Sequence, residues 1–236
     1  MPDRFFHPSL IDQTDVSLQG AEAHHLIHVL RAKAGLEVTL FDGSGAEFLA
    51  RVERVERSAV QLTILDRSEV DREGPLIVTL GVAMPKGDRQ RWLVEKATEL
   101  GVATFAPLVT ERSVAQPTGE TLRRLERAVI EASKQCGRNR LMKIAPPMRW
   151  GDFVARESAE SNLRIVAHPG GESWSADRLL AARQASQIIL AVGPEGGFTA
   201  NEIQLALESR WVPIDLGRRI LRVETAAVAL AALCNL

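Results

Sequence analysis

The sequence predicts an α/β fold, a mostly parallel sheet covered on both faces by helices, with a small barrel-like β module in front of it. Two observations carry this reading. From Leu36 to Leu65 apolar residues recur at every second position, whereas after Pro75 short apolar runs alternate with stretches of helical period. Strands buried on both faces read as continuous apolar runs, and strands that alternate with helices build parallel sheets. Between the two patterns lies a charged stretch from Asp66 to Gly74 that reads as a linker, placing the modules at residues 1–72 and 73–236.

Each element follows from its pattern. In the first module Ala23, Leu26, Ile27 and Leu30 share one face of a helix. Phe48, Ala50 and Val52 then alternate with Glu47, Leu49, Arg51 and Glu53, and Val60, Leu62 and Ile64 repeat the period of two. Asp42-Gly43-Ser44-Gly45 is a turn between the first two strands of this stretch, and Phe5 with Phe6 is expected to pack beside the helix, with stacking on bases as the alternative. In the second module Leu76–Met84 is a strand, and Asp88 is expected to cap a helix that runs to Leu100 and stops at Gly101. Val102–Val109 is the next strand. Leu122–Cys136 is a helix whose stripe is Leu122, Leu125, Val129, Ala132 and Cys136. Strands at Leu163–Ala167, Gln187–Val192 and Val212–Leu216 follow, separated by helical segments. The chain closes on an alanine-rich helix from Glu224 to Leu236, small enough in section for dimerisation or for burial inside the domain.

Composition narrows the function classes. With 236 residues and 45% hydrophobic content the chain can bury a core without a disulfide or metal staple. Cys136 and Cys234 form no CxxC pair, and His24-x-x-x-His28 has no third ligand, so no metal site is expected. No apolar run has the length of a membrane span or the layout of a signal peptide, which points to the cytoplasm and away from membranes. A net charge of −1, from 29 basic and 30 acidic residues, excludes a non-specific nucleic-acid binder driven by positive excess. It leaves room for a site-specific one, because arginines cluster at 89–91, 138–140 and 218–222. The cluster at 123–127 reads as a solvated helix face.

Two loops follow strands in the second module, where open α/β sheets bind ligands. Gly193-Pro194-Glu195-Gly196-Gly197-Phe198 follows the strand ending at Val192 and runs into Thr199-Ala200-Asn201-Glu202, a capping box. Its three glycines allow backbone amides to approach a ligand with no Cβ between. The other loop, Leu216-Gly217-Arg218-Arg219-Ile220-Leu221-Arg222, follows the last strand. Neither is a P-loop or a GxGxxG fingerprint. Spacing alone fits a tight turn as well as a cofactor cradle and names no ligand.

Those two loops, extended by Glu224-Thr225-Ala226, resemble the cofactor-binding half of a SPOUT-class methyltransferase. Lys86-Gly87-Asp88-Arg89, Trp92, Lys96, Glu99-Leu100-Gly101, Glu111-Arg112-Ser113 and Glu131-Ala132 with Gln135 and Arg138 are similar to one branch of that class. So are Arg4-Phe5-Phe6, His24-His25-Leu26 and Val29-Leu30-Arg31. That branch is the RsmE family of rRNA uridine-N3 methyltransferases. The resemblance spans nearly the whole chain. It implies a trefoil knot in the C-terminal domain, an N-terminal PUA-like barrel, a homodimer, S-adenosyl-L-methionine as cofactor, and 16S rRNA in assembled or late-assembly small subunits as substrate.

The resemblance also implies roles. His168, Gly193, Pro194, Glu195, Gly196, Gly197, Leu216, Gly217, Ile220, Leu221, Arg222 and Thr225 are expected at the cofactor. For Ile220 and Leu221 plain core packing is the competing account. Arg4, His24, His28, Arg31, Lys86, Arg89 and Arg112 are expected to meet RNA. Uracil N3 carries a proton, so methylation needs a base or cations that stabilise the anion. Arg138 and Arg222 are the candidate cations; Glu195 and Glu224 are candidate bases or, equally, loop-bracing carboxylates. Two other readings stand beside this one: a SPOUT enzyme acting on another RNA position, and a non-catalytic ribosome-assembly factor.

Overall fold

The computed structural model describes residues 3–115, 117–156, 162–173 and 185–235. The chain divides into two compact units. One runs up to Glu73 and also takes Ser133–Leu141; the other comprises Gly74–Ala132 and Met142–Leu236.

The first unit is a five-stranded curled sheet. Its strands are β1 (Arg4–Phe6), β2 (Asp15–Gln19), β3 (Glu37–Phe41), β4 (Ala46–Val55) and β5 (Ala59–Glu69), in the spatial order β1-β3-β4-β5-β2. The expected alternation holds on β4: Phe48, Ala50 and Val52 are buried, and they pack with Phe5, Leu18, Leu26, Leu40 and Leu62. β5 pairs with β4 as far as Glu69 opposite Ala46, so the first four residues of the expected linker are strand. Their charged side chains are exposed and the ladder they complete is backbone, which is why composition alone read them as a connection.

The expected helix is split. A short α1 (Gly20–His24) passes into a π turn over His25–Val29, where the Leu30 amide donates to the His25 carbonyl at 3.1 Å. Ala23 and Leu26 are buried as expected, while the His24 and His28 rings lie 4.5 Å apart on the exposed side. Arg31 stands past the turn in a left-handed conformation, φ 52°.

Polar groups tie the unit together. Arg4 is drawn inward: it donates to Glu47 Oε2 at 2.9 Å and to the Gly137 carbonyl at 3.2 Å, and lies over the Phe41 ring. Arg72 reaches the same Glu47 oxygen at 3.0 Å. Burial alone would raise the Glu47 carboxyl, but hydrogen bonds from Arg4, Arg72 and Asn139 outweigh it and hold the group below its ordinary value. The stabilisation this carboxylate brings is therefore complete above the ordinary value of 4.5 and is lost as pH falls through the lower folded-state value. Glu47→Gln is expected to flatten the fall in melting temperature between about pH 5 and pH 3. Parallel curves for the two proteins would show that the pairing contributes nothing.

The second unit is an all-parallel sheet. Its strands are β6 (Ile77–Ala83), β7 (Thr104–Val109), β8 (Lys143–Ile144), β9 (Met148–Arg149), β10 (Leu163–Ser173), β11 (Gln187–Val192) and β12 (Val212–Asp215). The order is β12-β10-β11-β6-β7-β8, with β9 also on β7. The helices are α2 (Arg89–Glu99), α3 (Gly119–Cys136), α4 (Trp150–Val154), α5 (Ala200–Glu208) and α6 (Val223–Asn235). The last residues of α3, from Ser133, count with the first unit.

Two details differ from expectation. Asp88 precedes α2 but is itself helical in conformation and makes no side-chain capping bond. β10 does not stop at Ala167; it bulges and continues to Ser173, pairing with β12 on both sides of the bulge. The helical segment expected after it falls largely at 174–184, outside the described residues.

One face of the sheet carries an aromatic cluster. Trp150 lies 4.4 Å from Phe198 and 5.7 Å from Trp211, ring centre to ring centre, and Phe153 lies 5.7 Å from Trp211. Such rings bury large areas and dominate the packing they join. The other face is covered by α6, which packs on β6, β11 and α2. Its Ala227, Leu230, Ala231 and Cys234 are buried within the unit, and burial pushes the Cys234 thiol up to about 12. The alanine-rich stripe that left two uses open in the sequence therefore serves the domain's own core.

Candidate active site

The strands of this sheet run the same way, so the loops after β6, β11 and β12 emerge at one edge, beside the bulge of β10. Side chains and amides join these loops to one another.

The first glycine loop is anchored by its own aromatic. Phe198 turns into the core, and a Cβ on Gly193 would lie 2.9 Å from its ring. Gly196 lies against Arg112, whose Nη1 donates to the Gly196 carbonyl at 2.7 Å. Only Gly197 is glycine for backbone reasons, with φ +68° and open space where a Cβ would stand. The three glycines thus answer three different constraints.

The capping box at the head of α5 forms as expected. Thr199 Oγ accepts from the Glu202 amide, and Glu202 Oε2 accepts from the Thr199 amide at 2.8 Å. Glu202 does more than the motif requires. It is buried, and its Oε1 accepts the Glu111 amide at 2.9 Å, fastening the loop after β7 to the first glycine loop.

The last loop is held by Asp215. Its Oδ1 accepts the Gly217 amide at 2.9 Å and its Oδ2 the Gly170 amide at 3.1 Å, from the β10 bulge. Those two amides, aided by the neighbouring His168, hold the Asp215 carboxyl below its ordinary value. Gly171 comes so close to β12 that a Cβ there would lie 2.6 Å from the Pro213 carbonyl oxygen. Gly217 has φ +113° with open space around it, and Ile220 beside it is 99% exposed while Leu221 is half-buried.

The first glycine loop and the heads of α2 and α6 meet at Arg89. Its Nη2 lies 3.4 Å from Glu195 Oε1, and its Nη1 lies 3.5 Å from Glu224 Oε2 at the head of α6. The Glu224 side chain is 9% exposed, and its Oε2 receives no hydrogen bond.

A model of the RNA methyltransferase domain matches residues 72–235, and a model of the RNA methyltransferase PUA domain matches residues 18–65. The Ribosomal RNA small subunit methyltransferase E of Synechocystis sp. is 37% identical over 226 residues, covering 95% of this chain and 74% of the relative. The enzyme of the same name from Neisseria gonorrhoeae, solved bound to S-adenosyl methionine, superposes with TM-score 0.88 at 32% identity, covering 98% and 95% of the two chains. The chain belongs to the ribosomal RNA small subunit methyltransferase E family. A Legionella pneumophila protein solved with bound SAM is similar as well, with TM-score 0.90, 32% identity, and 99% and 97% coverage.

The observed loops suit the group that those two relatives hold. Open space above Gly197 and Gly217, the uncovered Ile220 and the Glu224 carboxylate, whose Oε2 faces Arg89 but receives no hydrogen bond, supply backbone, apolar and anionic surfaces respectively. An adenosyl group, with the positive charges of the sulfonium and the α-ammonium beside it, presents the complements. Gly193, Gly196, Gly197, Leu216, Gly217, Ile220 and Leu221 would hold it, together with Glu224.

Most expected cofactor residues lie on these joined loops; His168, expected on a loop beyond a strand ending at Ala167, lies instead within β10 at its bulge. Arg222 is exposed on the last of them and Thr225 is exposed on α6. Of the two candidate cations, Arg138 belongs to the first unit, where it is buried and paired twice with Glu73, at 2.8 and 2.6 Å. Among the expected RNA contacts Lys86, His24, His28 and Arg31 are exposed, while Arg4, Arg89 and Arg112 are engaged by carboxylates or a carbonyl. Sequence reasoning missed Asp215 and the outward reach of Glu202. The only available signal was an acidic residue just before a glycine loop, which is common in turns for local reasons.

Proposed function

We propose that this chain transfers a methyl group from S-adenosyl-L-methionine to N3 of a specific uridine in small-subunit ribosomal RNA. The observation that carries it is the pair of joined glycine loops at the carboxyl edge of the parallel sheet, with unfilled space at Gly197 and Gly217. The cofactor supplies a methyl already activated on a sulfonium. What remains for the protein is alignment, exclusion of water, and disposal of the N3 proton.

Arg222, exposed on the last loop, is the cation we assign to the charge that develops on the uracil carbonyl oxygens. Arg138 is committed to Glu73, so Arg222 carries this role. Glu224, nearly buried and without a hydrogen bond at Oε2, is the carboxylate we assign to the N3 proton; Glu195 is more exposed and braces the loop. The exposed His24, His28 and Arg31 of the PUA unit form its RNA-facing surface. The reading includes a knotted C-terminal domain, a homodimer, a cytoplasmic location and a substrate that is an assembled or late-assembly subunit. Among the described residues no helix is long and apolar enough to cross a membrane.

The test is transfer of labelled methyl from S-adenosyl-L-methionine to small subunits that lack the modification, followed by nucleoside analysis. Label in 3-methyluridine is the expected result. Label in another nucleoside would overturn the N3 assignment. No label in subunits, assembly intermediates or free rRNA would overturn the enzyme reading.

A further inference from the structure

Arg89 has the features of an RNA contact when read from sequence: a cation in the first turn of a helix, next to a strand end. Its surroundings assign it differently. The guanidinium faces Glu195 of the first glycine loop and Glu224 of α6, two carboxylates from the segments that would enclose the methyl donor. It approaches both at 3.4–3.5 Å, one nitrogen to each. Glu224 is nearly buried, and no hydrogen bond reaches its Oε2, so Arg89 is the countercharge the structure shows at that oxygen. A carboxylate so placed is costly to keep ionised without a cation.

We propose that Arg89 is a positioning residue of the donor pocket, holding the first glycine loop and the head of α6 in register before the donor arrives. The inference rests on the methyltransferase reading above. Its physical basis is pre-organisation: ordering two loops on binding subtracts from affinity, and a bridge already in place removes that loss. The planar fork of arginine can address two carboxylates at once, which the point charge of lysine does less well. With Arg89 truncated, the repulsion between Glu195 and Glu224 is left uncompensated and the two segments part. The effect falls on donor binding, since the two carboxylates that Arg89 holds belong to the segments that would enclose the donor.

The experiment uses the full chain, with calorimetric titration of S-adenosyl-L-methionine, steady-state methylation, and binding of unmodified small subunits. Arg89→Ala is expected to raise the donor Kd and KM about tenfold or more, equivalent to about 1.4 kcal/mol. The fall in kcat at saturating donor is smaller than the rise in KM, and subunit affinity is unchanged. Arg89→Lys recovers part of the affinity. Glu195→Gln removes one half of the bridge at a half-exposed carboxylate and raises Kd by a few-fold, which keeps the test decisive if the alanine variant fails to fold. Combining Arg89→Ala with Glu224→Gln gives less than the product of the two single effects, because both break one bridge. Wild-type donor affinity in Arg89→Ala, with weakened subunit binding, would overturn the proposal and make Arg89 a phosphate contact. If the wild-type protein itself binds no donor, the methyltransferase reading falls, and the inference with it.

Discussion

Gly217→Val is expected to weaken donor binding about a hundredfold while the protein remains folded. Gly217 has φ +113°, a conformation that side chains with a Cβ rarely adopt and that β-branched ones adopt least. Holding a residue in such a region costs roughly 1–3 kcal/mol. No protein atom lies within 4 Å of the missing Cβ, so the valine meets no wall and the strain stays in the loop. The loop relieves it by turning away from the Asp215 carboxylate, which gives up the Gly217 amide and with it the tie to the β10 bulge. The valine methyls also enter the space beside Ile220 that the donor would occupy. The checks are donor titration by calorimetry and thermal melting; Gly217→Ala should lie between the two proteins. A valine variant that binds donor like the wild type would place the cradle elsewhere.

Glu202→Ala is expected to destabilise the second unit by about 2–4 kcal/mol, which combines a lost helix cap with two backbone amides losing their acceptor. The carboxylate is buried and accepts from Thr199 on one oxygen and Glu111 on the other, so each oxygen holds a different loop. For a unit of this size the melting temperature falls by roughly 2–4 °C per kcal/mol. Glu202→Gln keeps one acceptor and should show about half the loss. Donor affinity falls too, because Arg112, which grips the Gly196 carbonyl, rides on the loop that Glu202 fastens. An alanine variant melting with the wild type would show that the Glu111 amide finds water at no loss.

The motifs that carry chemistry were legible because they are local. Gly193 to Glu202 and Leu216 to Thr225 are continuous in sequence, and a strand end, a glycine turn and a capping box each leave a trace within a few residues. The same locality explains what was misread. Three glycines looked alike in sequence, yet Gly193 answers to Phe198, Gly196 to Arg112, and Gly197 to its own backbone. Asp88 had the composition of a cap without its geometry. In sequence Arg4 reads as an RNA contact and Arg138 as a catalytic cation because their carboxylate partners, Glu47 and Glu73, lie 43 and 65 residues away.

The sequence by itself determined the class of fold, the curled β unit ahead of the parallel sheet, the two glycine loops and the family. These follow from hydrophobic period and from contiguous motifs, both of which act over a turn or a strand. The tertiary structure alone decided that Ser133–Leu141 joins the first unit, that the alanine stripe of α6 faces its own core, and that Asp215, Glu202 and Arg89 tie the loops into one site. Each of those outcomes depends on which groups meet across tens of residues. A buried carboxylate or guanidinium takes whatever complementary partner the packed chain brings within reach, and no local pattern records which one that is.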